Sequence, residues 1–378
     1  MQIKIHTQIA DISKTEWNGL IQDNNPFLKH EFLFALEKNH CVGEKFGWLP
    51  RHIAVYDNGT LIGAMPLYEK HNSYGEFVFD NAWADAWQRA NLRYFPKLVS
   101  AIPYTPATGQ RLLVKPGLFE KIAPILLESS IELARQTGAS GCHILFPQKN
   151  EHEWLQQQGW FSRHDCQFHW HNQDYTDFEE FLGKLKARKR KNIHKERLSV
   201  KKSGIKLRVL DGYTASSTDW GHFSHFYNAL FERKSGVATL NEAFFCDVAE
   251  NLPEQTILVL ADKGNKCIAG ALMYCSDTTL YGRLWGCIET VENLHFEACY
   301  YLGIEYCIEK GLQLFEPGAQ GEHKVARGFV PTLTQSSHWL SKNPFQQAIA
   351  QYVKHEQEGV ADYIAEINQR IPYKTETY

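Results

Sequence analysis

The feature that most constrains this chain is that it repeats itself. Residues 61–75 read LIGAMPLYEKHNSYG and residues 268–282 read IAGALMYCSDTTLYG; the two align without a gap, with Gly-Ala early and Tyr-Gly at the end. Each is preceded by a short apolar run, HIAVY at 52–56 and TILVLA at 256–261, closed by DNG at 57–59 and DKGN at 262–265. β-Branched runs bounded by Gly, Asp and Asn read as strands joined through hairpin turns. Each is followed by a helical stretch, 118–137 and 294–310, and then by GCHILFP at 141–147 and GLQLFEP at 311–317. Both copies therefore predict strand–turn–strand–strand–helix–strand. A helix that joins parallel strands of one sheet does so as a right-handed crossover, so each half is expected to be an α/β unit on a mixed sheet.

At 378 residues the chain suits two such domains. The expected boundaries are 1–170, a basic helical connector at 171–210, and 211–378. In the connector, Thr176 and Glu179 read as a capping box, and Phe178, Phe181, Leu182 and Leu185 fall at helical spacing. KLKARKRKNIHKERLSVKKSGIK follows, nearly all basic. A last helix is expected over about 344–370. The formal charge of −3 excludes a global pull toward nucleic acid or membrane, so any polyanion has to be met by that local run. Neither a signal-peptide h-region nor an apolar run of membrane-spanning length is present. Nine Cys, an odd number without a CxxC pair, point to small buried hydrophobes in a reducing compartment. The expectation is a cytoplasmic protein.

Leu314–Val330 reads LFEPGAQGEHKVARGFV. Gly318 and Gly321 permit tight turns after the strand, with Gln320 between them. Glu322 and His323 can take a proton; Lys324 and Arg327 can stabilise negative charge. Amide formation needs that set, because the attacking amine must lose a proton while the carbonyl oxygen becomes an oxyanion. Glu322 is the first choice for the base and His323 the second. No Cys/His or Ser/His/Asp pair stands beside them, which favours direct attack over a covalent intermediate. In LYGRLWG, Tyr281, Arg283 and Trp285 alternate and are expected on one face of a strand. His295 and Glu297 open the buried helix and must be hydrogen-bonded or functional there. In IPYTPATGQRLL, Thr105, Thr108, Gly109 and Arg111 offer hydroxyls, backbone N–H and a guanidinium suited to phosphate. Arg188, Lys189, Arg190 and Lys191 offer a polyanion-binding face. His169 and His171 lie two apart on a strand without an acid or Cys at fitting distance, so no metal site is expected.

Several of these segments, namely YFPKLVSAIPYTPATGQRLL, FHWHNQDYTDFEEFLGKLKARKRKNIHKER, LYGRLWG, NLHFEACYYLGIEYCIEKGL and FEPGAQGEHKVARGF, resemble the bacterial FemAB-like predicted N-acyltransferases, a group named for peptidoglycan biosynthesis/recognition. The doubled unit with a basic helix between copies likewise resembles the GNAT acyltransferase fold in tandem, as in the Fem aminoacyltransferases. The resemblance implies a cleft between two pseudo-repeated domains, where the strand carrying Tyr281 splays from the strand carrying Phe315 and the donor ester or thioester lies in the gap. It also implies an acyl or aminoacyl group passed from acyl-coenzyme A or aminoacyl-tRNA to an amine acceptor, without metal, in cell-envelope metabolism. A tRNA or a nucleotide-linked precursor is the implied partner. One departure stands out: the glycine-rich pyrophosphate loop that opens the central helix in single-domain GNAT enzymes is absent, and the second copy has CIETVENLHF in its place. The rival readings are a non-catalytic module that recognises a cell-wall precursor or other anionic ligand, and a nucleic-acid binder that uses the basic helix alone.

Overall fold

The computed structural model describes residues 1–341 and 344–374 and divides into two compact units. Unit 1 comprises Met1–Asp165 and Leu333–Asp362; unit 2 comprises Cys166–Thr332 and the chain from Tyr363 onward. This differs from the expected boundaries in two ways. Segment 171–210 is not a free connector. Its Phe178, Phe181, Leu182, Leu185 and Ile193 bury in the same core as Trp170, Tyr301 and Phe315, which makes it part of unit 2. Residues 333–362 join unit 1 because the strand Val330–Leu340 pairs there with the strand Gly141–Leu145, Ser336 opposite Leu145 and Leu340 opposite Gly141.

In unit 1, β1 (Gln2–His6) and β2 (Trp48–Pro50) precede the hairpin β3 (His52–Asp57) and β4 (Thr60–Met65). After Pro66 the chain changes sheet. β4 pairs with β3 and with β7 (Leu113–Val114), whereas β5 (Tyr68–Lys70) pairs with β2 and with β6 (Lys97–Ser100). The helix Phe119–Thr137 buries Ala123, Leu127, Ile131 and Ala134, with Ile122 and Leu126 beside them, at three- and four-residue spacing. They pack on Ile53, Val55, Leu98 and Ile144. This helix precedes β8 (Gly141–Leu145), which runs parallel to β6.

Unit 2 carries the C-terminal part of β9 (Phe161–His171), then β10 (Ile205–Asp211), β11 (Thr256–Lys263), β12 (Lys266–Cys275), β13 (Thr279–Cys287) and β14 (Leu314–Glu316). The strand order is β10-β11-β12-β13-β14-β9, antiparallel throughout except for β13 beside β14. The helical stretch 294–310 lies between that parallel pair in sequence, so the crossover expected in each half is present in both. The helix N-cap at 177 differs by one residue from the expected box: Asp177 accepts the Glu180 N–H at 2.8 Å, and Thr176 bonds the Glu180 carboxylate.

The repeated Gly-Ala pair does not do the same work twice. A Cβ on Gly63 would meet Ile122 of the central helix at 2.3 Å, whereas one on Gly270 would meet Phe223 at 3.1 Å, on the helix Ser217–Arg233. Among the described residues no helix is long and apolar enough to cross a membrane, and no group of three or more His, Cys, Asp or Glu could hold a metal ion.

Candidate functional site

The site is built where the β13–β14 ladder stops. The parallel pairs are Thr279–Leu314, Leu280–Phe315 and Tyr281–Glu316. Pro317 follows and has no N–H to extend the ladder, while β13 runs on to Cys287. Just beyond the last pair β13 bulges. Met273 sits opposite Gly282 and Leu272 opposite Leu284, leaving Arg283 as the extra residue. One added residue inverts the alternation. Tyr281 lies across from Tyr274 and Trp285 across from Ala271, an odd difference, so the two rings take opposite faces. The expected single row of Tyr281, Arg283 and Trp285 is thus broken. Trp285 alone turns to the face that carries the helix 294–310, where its ring centroid is 5.3 Å from that of His295.

That helix does not start as a regular α-helix. Leu294–Phe296 is α-helical, Glu297–Tyr301 widens into a π-helical turn, and Leu302–Lys310 resumes. Such turns recur at functional sites. The turn sets Tyr300 beside His323, with its hydroxyl 2.9 Å from His323 Nε2. The His295 and His323 ring centroids are 6.3 Å apart. Burial, then His323, Arg327 and Lys324, holds the His295 imidazole down to about 4. His323 is solvent-accessible; partial burial, Lys324 and Arg327 also lower its pKa. Both rings are therefore neutral at pH 7.

The loop that follows β14 holds its shape through its own cations. Lys324, 2% exposed, donates from Nζ to the carbonyls of Gly318, Ala319 and Gln320 at 2.7, 3.3 and 2.6 Å. Arg327, also buried, donates to the His323 carbonyl at 2.7 Å and to Glu196 at 2.9 and 3.0 Å, and its guanidinium carbon lies 3.4 Å from the Phe296 ring centroid. Gly321 has φ +109°, and a Cβ there would stand 2.6 Å from His323 Cε1, so only glycine leaves room for the imidazole. Glu322 is exposed and accepts from Tyr363 Oη at 2.8 Å.

The remaining sequence candidates separate. His295, His323, Trp285, Lys324 and Arg327 come together, but Lys324 and Arg327 hold backbone and carboxylate rather than face solvent. Glu297 is buried and forked by Arg197, which also binds Glu305; this is a structural tie between the basic helix Ala187–Lys202 and the central helix. The loop expected to hold phosphate is closed. Arg111 is 1% exposed and donates to the carbonyls of Ala107, Gln110 and Leu145, each at 2.8 Å. Thr105 bonds Pro103 O, and the Gly109 N–H bonds Phe146 O. Thr108 is half-buried. These groups pin a packed loop. On the basic helix Arg188 and Lys191 are exposed, and Lys189 and Arg190 half-buried. His169 is buried beside Gln167 Oε1 at 3.2 Å.

Sequence reasoning missed Glu196, Tyr300, Phe296 and Tyr363. The first carried a weak signal, as a lone acid in a run of cations. The others are ordinary aromatics in sequence, given meaning only by the π-turn and the C-terminal segment.

No curated protein sequence matches the chain. Solved structures do. FemX is 14% identical, covers 93% of this chain and 100% of its own, and superposes with TM-score 0.52. The C-terminal DUF2156 domain of an Agrobacterium fabrum protein assigned as a lysylphosphatidylglycerol synthetase is 9% identical, covers 92% and 97%, and gives 0.57. L-PGS from Bacillus licheniformis is 9% identical, covers 81% and 88%, and gives 0.50. At these identities the likeness is one of fold, and it agrees with the tandem GNAT-like α/β architecture expected from the repeat. A family model described as peptidoglycan biosynthesis/recognition matches residues 8–375, nearly the whole sequence, and the chain therefore belongs to the FemAB-like family.

Proposed function

We propose that this protein transfers an acyl or aminoacyl group from a carrier to an amine by direct attack, with His323 as the proton acceptor. The observation that carries this reading is a neutral, accessible imidazole hydrogen-bonded to Tyr300 at 2.9 Å and flanked by two fixed cations. The acceptor arrives largely as an ammonium. His323 takes a proton from it, its nitrogen attacks the carbonyl carbon, and a C–N bond forms as the carbonyl oxygen gains charge. The tetrahedral species loses its second N–H proton to solvent and collapses as the carrier oxygen or sulfur leaves with the proton returned from His323. Lys324 and Arg327 act through their field, which disfavours a charged His323 and favours the oxyanion. Glu322 has the weaker claim as base, being exposed and bound to Tyr363.

For the donor, the exposed cations Arg188, Lys191, Lys195, Lys201 and Lys202 support a polyanionic carrier. The closed loop around Arg111 offers coenzyme A no free guanidinium fork. Aminoacyl-tRNA is therefore placed ahead of acyl-coenzyme A, and the acceptor is read as the amine of a cell-wall precursor, in keeping with the family description. The test is turnover with labelled aminoacyl-tRNA and, separately, labelled acyl-coenzyme A, each offered with a panel of amines including nucleotide-linked peptides. Amide formation that His323→Gln abolishes supports the reading. Tight binding of a precursor with no transfer from either donor would replace it with a recognition module.

A further inference from the structure

The helix Ala187–Lys202 holds one acid among its 16 residues, Glu196. An acid in a basic helix ordinarily answers a cation three or four positions away. Here those positions are Asn192, Ile193, Ser199 and Val200, so the carboxylate finds its partners off the helix. It turns inward with Ile193 and Val200, which are 1% and 3% exposed, while Arg188, Lys191, Lys195 and Lys202 face solvent. Its Oε2 accepts from the Tyr301 hydroxyl, and both oxygens accept from Arg327 Nη2, at 2.9 and 3.0 Å. The two donors come from different turns. Tyr301 closes the π-helical turn Glu297–Tyr301, and Arg327 closes the 3₁₀ turn Glu322–Arg327.

The same two turns supply the Tyr300–His323 pair. Tyr300 precedes Tyr301 in the chain, and the Arg327 guanidinium also donates to the His323 carbonyl at 2.7 Å. The turns are thus tied twice: by the 2.9 Å contact between the Tyr300 hydroxyl and His323 Nε2, and, from the basic helix, by Glu196. A hydrogen bond weakens steeply as its angle and distance drift, and the second tie limits both. The bond at one ring nitrogen of a histidine sets which nitrogen carries the proton. We propose that Glu196 is a positioning residue that clamps the π-helical turn to the 3₁₀ turn, so that the Tyr300 hydroxyl holds the His323 imidazole in one orientation and one tautomer. Its effect on rate rests on the acyl-transfer reading; its effect on the imidazole does not.

The test pairs kinetics with nitrogen NMR of the His323 imidazole in the full chain without substrate, its signals assigned by their loss in His323→Gln. Glu196→Ala should lower kcat by about 10–100-fold and leave KM for the amine within about threefold. Its His323 spectrum should change from one tautomer to a mixture of two. Glu196→Gln should restore the single tautomer, and kcat to within about fivefold of the unaltered chain, because an amide oxygen in the place of Oε2 takes one bond from each turn. Tyr301→Phe removes one donor and little volume; it should lower kcat by several-fold and mix the tautomers in part, and it serves if the alanine variant does not fold. An unchanged tautomer in both Glu196→Ala and Tyr301→Phe, or a glutamine variant as impaired as the alanine one, overturns the inference. Should neither donor give transfer, the spectra still decide it. Should His323→Gln abolish transfer while Glu196→Ala leaves kcat and spectrum intact, the acyl-transfer reading stands and this inference falls.

Discussion

In unit 1 the fully buried Lys97 ammonium lies between the Glu76 and Asp80 carboxylates, whereas in unit 2 the equally buried Lys324 ammonium meets only backbone carbonyls. The first arrangement is a closed circuit. Asp80 also accepts from Ser73 and Tyr94, and elsewhere in the unit Glu151 accepts the N–H groups of Arg111 and Leu112. Lys324 itself has no carboxylate partner among the described residues. Arg327 stands close by, and Glu196 answers Arg327 rather than Lys324. Burial pulls the Lys324 pKa down to about 8. Charge matched in place holds a fold together; charge left unmatched tunes its neighbours, and here those are two imidazoles.

The difference can be broken experimentally. The largest expected effect is His323→Gln, which should cut kcat by about 10²–10⁴ with Tm unchanged; a fully active variant would end the role of His323. Lys97→Met should do the opposite. It strands two buried carboxylates at a cost of about 3–5 kcal/mol, read as a lower denaturation midpoint, while kcat of the remaining folded protein stays the same. Lys324→Met removes a cation that has no carboxylate to strand, so its stability cost should be smaller, about 1–3 kcal/mol for the unpaired carbonyls. Equal losses in the two lysine variants would erase the contrast.

The pH–rate profile sharpens it further. A lowered His323 pKa means the base stays neutral, and activity stays full, until the pH drops below the ordinary imidazole value of 6.5; the rate should then fall up to about tenfold per pH unit. Lys324 loses its third proton, and with it one carbonyl contact, as the pH rises through about 8, so a second decline is expected there. Lys324→Arg should move that alkaline limb upward and leave the acid limb in place. The smallest effect is Glu322→Gln, an exposed group whose loss should change kcat by no more than about threefold.

Much of this was readable before any coordinates. The hairpin strands at 52–56 and 256–261, the helix ending at Thr137 and the glycine-hinged loop after Phe315 follow from local patterns, and local chemistry sets them. What sequence hid depends on distant partners. Arg111 looks like a phosphate ligand until Leu145 and Ala107 are seen to enclose it. Arg327 looks like an oxyanion donor until Glu196, 131 residues away, takes it. Segment 333–362 belongs with unit 1 because its strand pairs with β8, and antiparallel pairing leaves no local mark that names a partner. The helix register at 297–301 is equally silent, since EACYY is acceptable in either kind of turn.

The extra residue in β13 behaves like a half-turn in a ribbon: past it, front and back trade places. If β13 paired straight through with no bulge, Trp285 would fall across from Gly270, in the place that Gly286 now holds. The indole would then be driven at the Phe226 backbone, which lies 2.4 Å from where even a methyl on Gly286 would sit, and a hole would open beside His295. Along this strand aim depends on how many residues precede a position as much as on which residue occupies it: removing Arg283 would leave Trp285 across from Ala271, so that deletion should do less harm than an inserted residue that carries Trp285 to the other face.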